Sequence, residues 1–332
     1  MSGSEPQSQS QMQELDPAQE GHVEPGIGGQ ALEKRDLLLL GVGQAAKALL
    51  AFLRSGKAEE YGLQFQTIYG TSRNLSKAAA LSEMGVDPII FEAPLQFESS
   101  DKFDSGDDKT FNRLSEVAAN ACVLVSFPPD GVSDRMLSLC AKKAHRIVYI
   151  SSTGVYGKTQ GVIDENSPVD KGEESSHLRL EAEEIWHRMG AIVLRAPGLY
   201  DFSYGLHLRL LSGQYRLPGD GSNYVSRIHL EDLSRLIVAS FARAQPGSTY
   251  VVGDLKPSTH IEVVKWLCAE LKLPMPEKQP LSEANPTLRG NRQVNARKIL
   301  SDLQVSLRFP TYVEGFSDCL QQARLAGRES FS

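Results

Sequence analysis

This 332-residue sequence has no apolar run long enough to cross a membrane; its most apolar stretch is interrupted by Lys47, just past a pair of glycines. It has only four cysteines, Cys122, Cys140, Cys268 and Cys319, and they lie far apart. Metal sites and disulfide frameworks want close pairs, so these thiols are expected to be reduced and packed, with no metal bound. Residues 1–33 contain six acidic residues and not one Lys or Arg. They carry neither the basic start and apolar core of a secretory signal nor the arginines of a transit peptide, and the expected location is cytoplasmic. This segment is rich in Ser, Gln, Glu, Gly and Pro and has too little apolar surface to offset its ordering entropy, so it reads as a disordered acidic tail. The net charge of −6 belongs to that tail, because the rest of the chain has 35 acidic and 35 basic residues. A neutral body argues against a nucleic-acid-binding surface.

What is present is organised around LLLLGVGQAAKALLAFL, Leu37 to Leu53. Four consecutive leucines read as a strand buried on both faces. Gly41-Val42-Gly43-Gln44-Ala45-Ala46 follows as a G-x-G-x-x-A turn. Ala46, Leu49, Leu50 and Leu53 then repeat at helical spacing. Strand, glycine turn and helix in this order form the dinucleotide-binding fingerprint. Gly41 permits the tight turn, Gly43 lets backbone N–H groups approach a pyrophosphate, and Ala46 lets the helix pack closely on the strand.

A second strand, Leu63 to Tyr69, runs into Gly70-Thr71-Ser72-Arg73. An acid at this strand end would bind the adenosine ribose of NAD. None is present, and Arg73 behind Ser72 suits a 2′-phosphate, so NADP is the expected cofactor, with NAD as the alternative. Further strands are expected at Pro88–Phe91, Ala121–Phe127, Arg146–Ile150 and Thr249–Val252. Residues 95–109 read as a polar loop. Phe127, Pro128 and Pro129 end the fourth strand, where a doubly wound sheet presents its ligand crevice, and they are expected to touch the cofactor.

The fifth strand runs into Ser151-Ser152-Thr153-Gly154-Val155-Tyr156-Gly157, which resembles the S-S-x-x-V-Y-G motif of the extended short-chain dehydrogenase/reductases, the epimerase/dehydratase group. Three further segments match in order. Arg179 to Glu184 resembles the helix carrying the family's catalytic Lys. Val193 to Tyr200 resembles the sixth strand and its cofactor loop, with Pro197. Arg227 to Leu233 resembles the I-H-V-x-D segment. The resemblance implies that Ser151 and Pro197 lie at the cofactor and that the Ser152 hydroxyl bonds a substrate carbonyl or alcohol. It also implies a Tyr-x-x-x-Lys pair, whose cation lowers the phenol pKa. Here Ser175 stands at the Tyr position and Arg179 at the Lys position. Arginine can hold a ribose as a cation, but serine cannot titrate as a base near neutrality. Either another group supplies the proton (Tyr156, His177, Tyr200 or Tyr204), or the chain binds NADP without turnover. Thr153 and Gly154 stand where dehydratases place an Asp-Glu pair, which argues against dehydration. Leu178, Ala182, Ile185, Trp186 and Met189 form the expected apolar stripe of the catalytic helix.

The expected architecture is therefore a Rossmann-type doubly wound α/β fold. Residues 34–200 form the NAD(P)-binding domain, with 223–254 returning to it. Residues 201–222 and 255–332 form a small substrate lobe. Asp232 is expected to cap the helix that it begins, and Arg289 and Arg292 form a basic loop. The expected substrate is a small carbonyl or alcohol, possibly a nucleotide-linked sugar, acted on by a monomer or homodimer.

Overall fold

The computed structural model describes residues 32–92, 109–325 and 327, and of Ser175 and Pro286 only the backbone. The expected tail, apart from its last two residues, and the polar loop up to residue 108 lie outside the described residues. Glu33, assigned to the tail by composition, opens the first strand.

In chain order, β1 (Glu33–Leu40) leads through the glycine turn to α1 (Gln44–Arg54), then β2 (Leu63–Ser72), α2 (Leu75–Glu83) and β3 (Asp87–Ile90). Next come α3 (Lys109–Ala118), β4 (Cys122–Val125), α4 (Val132–Cys140), β5 (Arg146–Ser152), the short β6 (Gly161–Ile163) and α5 (Glu174–Arg188). Then follow β7 (Ile192–Ala196), β8 (Gly198–Tyr200), α6 (Leu206–Leu211), β9 (Leu217–Pro218), β10 (Tyr224–Val225), β11 (Arg227–His229) and α7 (Leu230–Arg243). The chain continues with β12 (Thr249–Val251), β13 (Ser258–Thr259), α8 (His260–Glu270), β14 (Lys278–Gln279), β15 (Arg292–Val294), α9 (Arg297–Leu303) and α10 (Tyr312–Leu325).

Seven strands form one sheet in the order β12-β7-β5-β4-β1-β2-β3. Every pairing in it is parallel. The leucine run explains why β1 is central. Leu37 and Leu39 pack into the core on one face, with α1 and α7; Leu38 and Leu40 pack into the core on the other, with α3, α4 and α5. None of the four is more than 1% exposed. Alternation along a strand thus buries every side chain when both faces are covered. The strand order reverses between β1 and β4, and a crevice opens beyond their C-terminal ends. A third core, around Tyr215, Val263, Leu267 and Phe316, joins α6, α8 and α10 into the C-terminal lobe.

Three expectations change. The β5 strand extends through Ser152. Leu178 is 41% exposed, so the apolar stripe of α5 rests on Ala182, Ile185 and Trp186. Asp232 does not cap α7: the His229 ring nitrogen accepts the Glu231 N–H there, and the buried Asp232 carboxylate accepts the N–H groups of Arg308 and Phe309 at 2.7 and 2.9 Å. All four cysteines are free and buried. Among the described residues no helix is long and apolar enough to cross a membrane.

Candidate functional site

The crevice is built on the glycine turn. Gly41 has φ +84°, and a Cβ on it would lie 2.8 Å from the Phe127 Cβ, so only glycine fits. Its N–H donates to the Thr71 hydroxyl at 2.9 Å, and its carbonyl accepts from the Ser126 hydroxyl at 2.7 Å. The turn is thereby fastened to the ends of β2 and β4. Gly43 precedes α1; a Cβ there would find nothing nearer than the Ser126 carbonyl at 4.0 Å. No side chain caps α1, and no acid stands in its first turn. The N–H groups that begin at Gln44 and Ala45 therefore keep the positive helix terminus open toward the crevice. Ala45 and Ala46 are buried behind them.

The cleft in front has a volume of about 410 Å3 and is bordered by Gly41, Gly43, Ser72, Arg73, Phe127 and Pro128. Lys77 and Glu92 also border it, and sequence reasoning missed both. Ser72 is buried, and its hydroxyl donates to the Asn74 carbonyl; the Asn74 side chain in turn accepts the Lys77 N–H and caps α2. This local ring sets Arg73 and Lys77 beside one another at the start of α2. Neither forms an ion pair among the described residues. The cap residue Asn74, three positions before Lys77, was the signal that places Lys77 in a first helical turn facing the crevice. Pro129 does not border this cleft.

The SSTGVYG segment is arranged differently. The Ser152 hydroxyl accepts the Gly154 N–H at 3.0 Å and so begins a short 3-10 turn over Thr153–Tyr156. The position of a Cβ on Gly154 would be 3.3 Å from the Ser152 Oγ and 3.5 Å from the Arg179 Cζ, so these two candidates flank one glycine. The Ser176 hydroxyl donates to the Gly154 carbonyl and holds α5 against the turn. The side chain of Ser175 lies outside the described atoms.

Ser151 faces away from the crevice and donates to Glu183 at 2.6 Å. Glu183 also makes a two-pronged pair with Arg195, at 3.0 and 2.7 Å, and all three are buried. Tyr156 completes this cluster. It is fully buried; its hydroxyl donates to the Asp164 carbonyl at 2.7 Å and accepts from Arg195 at 3.1 Å. Burial pushes its pKa up, with the Arg195 hydrogen bond only partly opposing. A phenol in this state is not a base near neutrality. The same applies to Tyr200, whose pKa burial drives well above the ordinary value. His177 is exposed on α5, and Tyr204 is 47% exposed at the lobe. Gly157 has φ +47°, and a Cβ on it would meet the Asp170 carboxylate.

Pro197 borders a smaller cleft together with Thr153, Tyr224 and Arg292. The expected basic loop is partly tied down: Arg289 donates to the Ala284 carbonyl, and Arg292 donates to the Gly157 carbonyl. Gly198 and Val225 border this cleft and also a cavity of about 320 Å3 inside the lobe.

Sheet order and crevice define the class: a Rossmann-type α/β protein with the doubly wound order of dinucleotide-binding folds. Within that class, solved structures sharing the fold include NAD-dependent epimerase/dehydratases. The dTDP-glucose 4,6-dehydratase of Bacillus anthracis, solved with NAD, has a TM-score of 0.67 at 15% identity, covering 90% of this chain and 98% of that one. A protein from Methylobacillus flagellatus described as an NAD-dependent epimerase/dehydratase has a TM-score of 0.62 at 20% identity, covering 87% and 99%. A functionally unknown conserved protein from Silicibacter pomeroyi has a TM-score of 0.68 at 25% identity, covering 87% and 99%. By sequence, the chain is 30% identical to Escherichia coli protein YeeZ over 123 residues and 29% identical to the Neisseria gonorrhoeae dTDP-glucose 4,6-dehydratase over 155. These matches span 36% and 41% of this chain and 43% and 44% of those relatives, less than half their length. No family model matches the chain.

Proposed function

We propose that this protein is an NAD(P)-dependent oxidoreductase of the extended short-chain dehydrogenase/reductase kind, with NADP preferred, acting on a small carbonyl or alcohol. A nucleotide-linked sugar falls within that class; a protein of this fold, 17% identical, was solved with UDP-glucose and NAD. The observation that carries the reading is the uncapped start of α1 opening on a cleft bordered by Arg73 and Lys77. Backbone N–H groups at a helix start favour a pyrophosphate, and two cations beside them favour a further phosphate over bare ribose hydroxyls. Glu92 lies on the same cleft and moderates that preference.

When bound, the nicotinamide supplies or accepts the hydride. The chain's own residues then act on the substrate oxygen. The Ser152 oxygen already accepts from the Gly154 N–H, which leaves its proton to donate to a carbonyl. The Arg179 guanidinium, across Gly154, stabilises negative charge developing on that oxygen. The proton that completes the alcohol comes from solvent at the partly exposed Ser152, whose hydroxyl holds the oxygen by a hydrogen bond and keeps its own proton, because the Tyr156 phenol is buried and already bonded.

That buried phenol also favours a second reading, a non-catalytic module whose partner affinity changes with NADP(H). Calorimetry with NADPH and NADH, followed by a turnover screen on carbonyls and sugar nucleotides, separates the two. Tighter NADPH binding with turnover is expected. Binding with no turnover on any substrate selects the module, and absence of heat with both coenzymes overturns both readings.

A further inference from the structure

The lobe cavity of about 320 Å3 lies next to the Thr153 cleft and has the size of a small-molecule site, about 300 Å3 or more. Its wall is largely hydrocarbon: Leu199, Leu206, Leu208, Leu288 and Phe316 contribute, with the ring of Tyr200 stacked on Phe316 at 4.3 Å. Two polar groups in that wall, His260 and Tyr215, are engaged with one another. His260 is buried and held neutral, its pKa pushed down to about 4 by burial and by the nearby Arg227 charge. Its Nε2 bonds the Leu288 carbonyl at 3.3 Å and its Nδ1 bonds the Tyr215 hydroxyl at 3.2 Å. The bond to a carbonyl makes Nε2 the protonated nitrogen, so the Tyr215 hydroxyl donates to Nδ1.

Arg227 is the buried cation among the groups that are not: the buried Tyr200 hydroxyl has no hydrogen-bond partner among the described residues, and the exposed Arg209 lies over the Tyr215 ring at 5.3 Å. Arg227 is only 6% exposed, on β11, and its side chain makes one hydrogen bond to protein, NH1 to the Val225 carbonyl at 2.9 Å. It forms no ion pair among the described residues. The acid that most offsets its charge, Asp254, is itself buried and has its pKa raised to about 7, burial outweighing Arg227. A guanidinium has five N–H donors in a planar fork, and one of them is engaged with protein here. Buried charges are ordinarily paired.

We propose that this cavity is a binding site for a molecule with one oxyanion on an apolar, aromatic-sized body, the oxyanion held by Arg227. This rests on the oxidoreductase reading above and names its substrate class: an apolar carboxylate-type carbonyl or alcohol rather than a polyhydroxylated sugar nucleotide. A sugar's several hydroxyls would be buried largely against hydrocarbon, which costs affinity at each one left without a partner. A single charge with an apolar body uses both features of the wall.

The test is a fluorescence titration with 1-anilinonaphthalene-8-sulfonate and its uncharged counterpart N-phenyl-1-naphthylamine. Near-UV circular dichroism monitors the fold, and calorimetry with NADPH is run in parallel. One sulfonate probe per chain is expected, displaced by 2-naphthoate but not by 2-naphthol or UDP-glucose. Arg227→Met is expected to weaken the sulfonate probe about tenfold while leaving the uncharged probe nearly unchanged. Tyr204→Ala, at the exposed mouth, should weaken both together, and it keeps the site testable should Arg227→Met fail to fold. Equal loss of both probes in a folded Arg227→Met, displacement by UDP-glucose, or no stoichiometric binding overturns the inference. NADPH heat without probe binding sinks this inference alone. Probe binding without NADPH heat leaves the anion site standing and sinks the oxidoreductase reading.

Discussion

Two ends of one crevice handle their polar groups in opposite ways. At the ends of β1, β2 and β4 the backbone N–H groups at the start of α1 have no side-chain cap, and Arg73 and Lys77 have no ionic partner among the described residues. At the ends of β5 and β7 nearly every polar group is bonded to another: Ser151 and Arg195 to Glu183, Tyr156 to Asp164 and Arg195. The first arrangement is what an anionic ligand requires. The second is what a rigid wall requires. The difference teaches that a motif can be kept for the shape it gives a turn while its phenol serves the core.

The largest break of this comparison would come from the wall. Glu183→Ala leaves Arg195 buried without its carboxylate and is expected to cost about 3–5 kcal/mol, read as a fall in the denaturant midpoint. A variant of wild-type stability would mean the cluster is not what holds β5, α5 and β7 together. Next come the two glycines, which should separate fold from ligand. Gly41→Ala forces a side chain to φ +84° against Phe127 and is expected to lose about 1–3 kcal/mol of stability as well as coenzyme binding. Gly43→Ala has an ordinary φ of −87° and open space, so it should fold normally yet bind NADPH more weakly.

Tyr156→Phe sharpens the point about the phenol. Removing the hydroxyl leaves an Arg195 N–H and the Asp164 carbonyl short of a partner, for about 1–3 kcal/mol. Any turnover present in the parent should persist in the folded variant. Its abolition with NADPH affinity intact would restore Tyr156 as the proton donor. On the open side, Arg73→Ala with Lys77→Ala should narrow the NADPH-to-NADH affinity ratio about tenfold, or about 1.4 kcal/mol, in an NaCl-sensitive manner.

A further effect concerns pH. Burial lowers the His229 pKa to about 4, while the unfolded chain titrates near the ordinary histidine value. Between those values the unfolded state binds the extra proton, so the stability contributed by the neutral ring is present above about pH 6.5 and is lost as pH falls toward 4. His229→Asn keeps a side-chain acceptor at the start of α7 and should flatten that acid limb of the melting temperature.

Much of the fold was legible because it depends on local patterns. The leucine run, the glycine turn and the Ala46–Leu49–Leu50 stripe each state their burial in sequence, and they recur in the structure with Leu37 to Leu40 buried to the last side chain. The site was legible only where backbone geometry makes it. Gly41, Gly43, Ser72, Arg73, Phe127 and Pro128 meet at one cleft. Ser151 and Tyr156 could not be assigned that way, because their orientation depends on Glu183 and Arg195, which are distant in sequence and meet only across the sheet. Lys77 and Glu92 were missed for the complementary reason: each looks like an ordinary surface charge until the chain folds around it.

The buried grip of Asp232 on residues 308 and 309 has a practical consequence for anyone recombining this scaffold. A carboxylate on α7 is completed by amides contributed 76 and 77 positions later, so neither partner is satisfied by a foreign counterpart of different backbone path. Chimeras that exchange the lobe at a surface loop would sever that clasp unseen. Donor segments must travel as a matched set, acid and amides together, or the hybrid buries a carboxylate that has lost two of its donors.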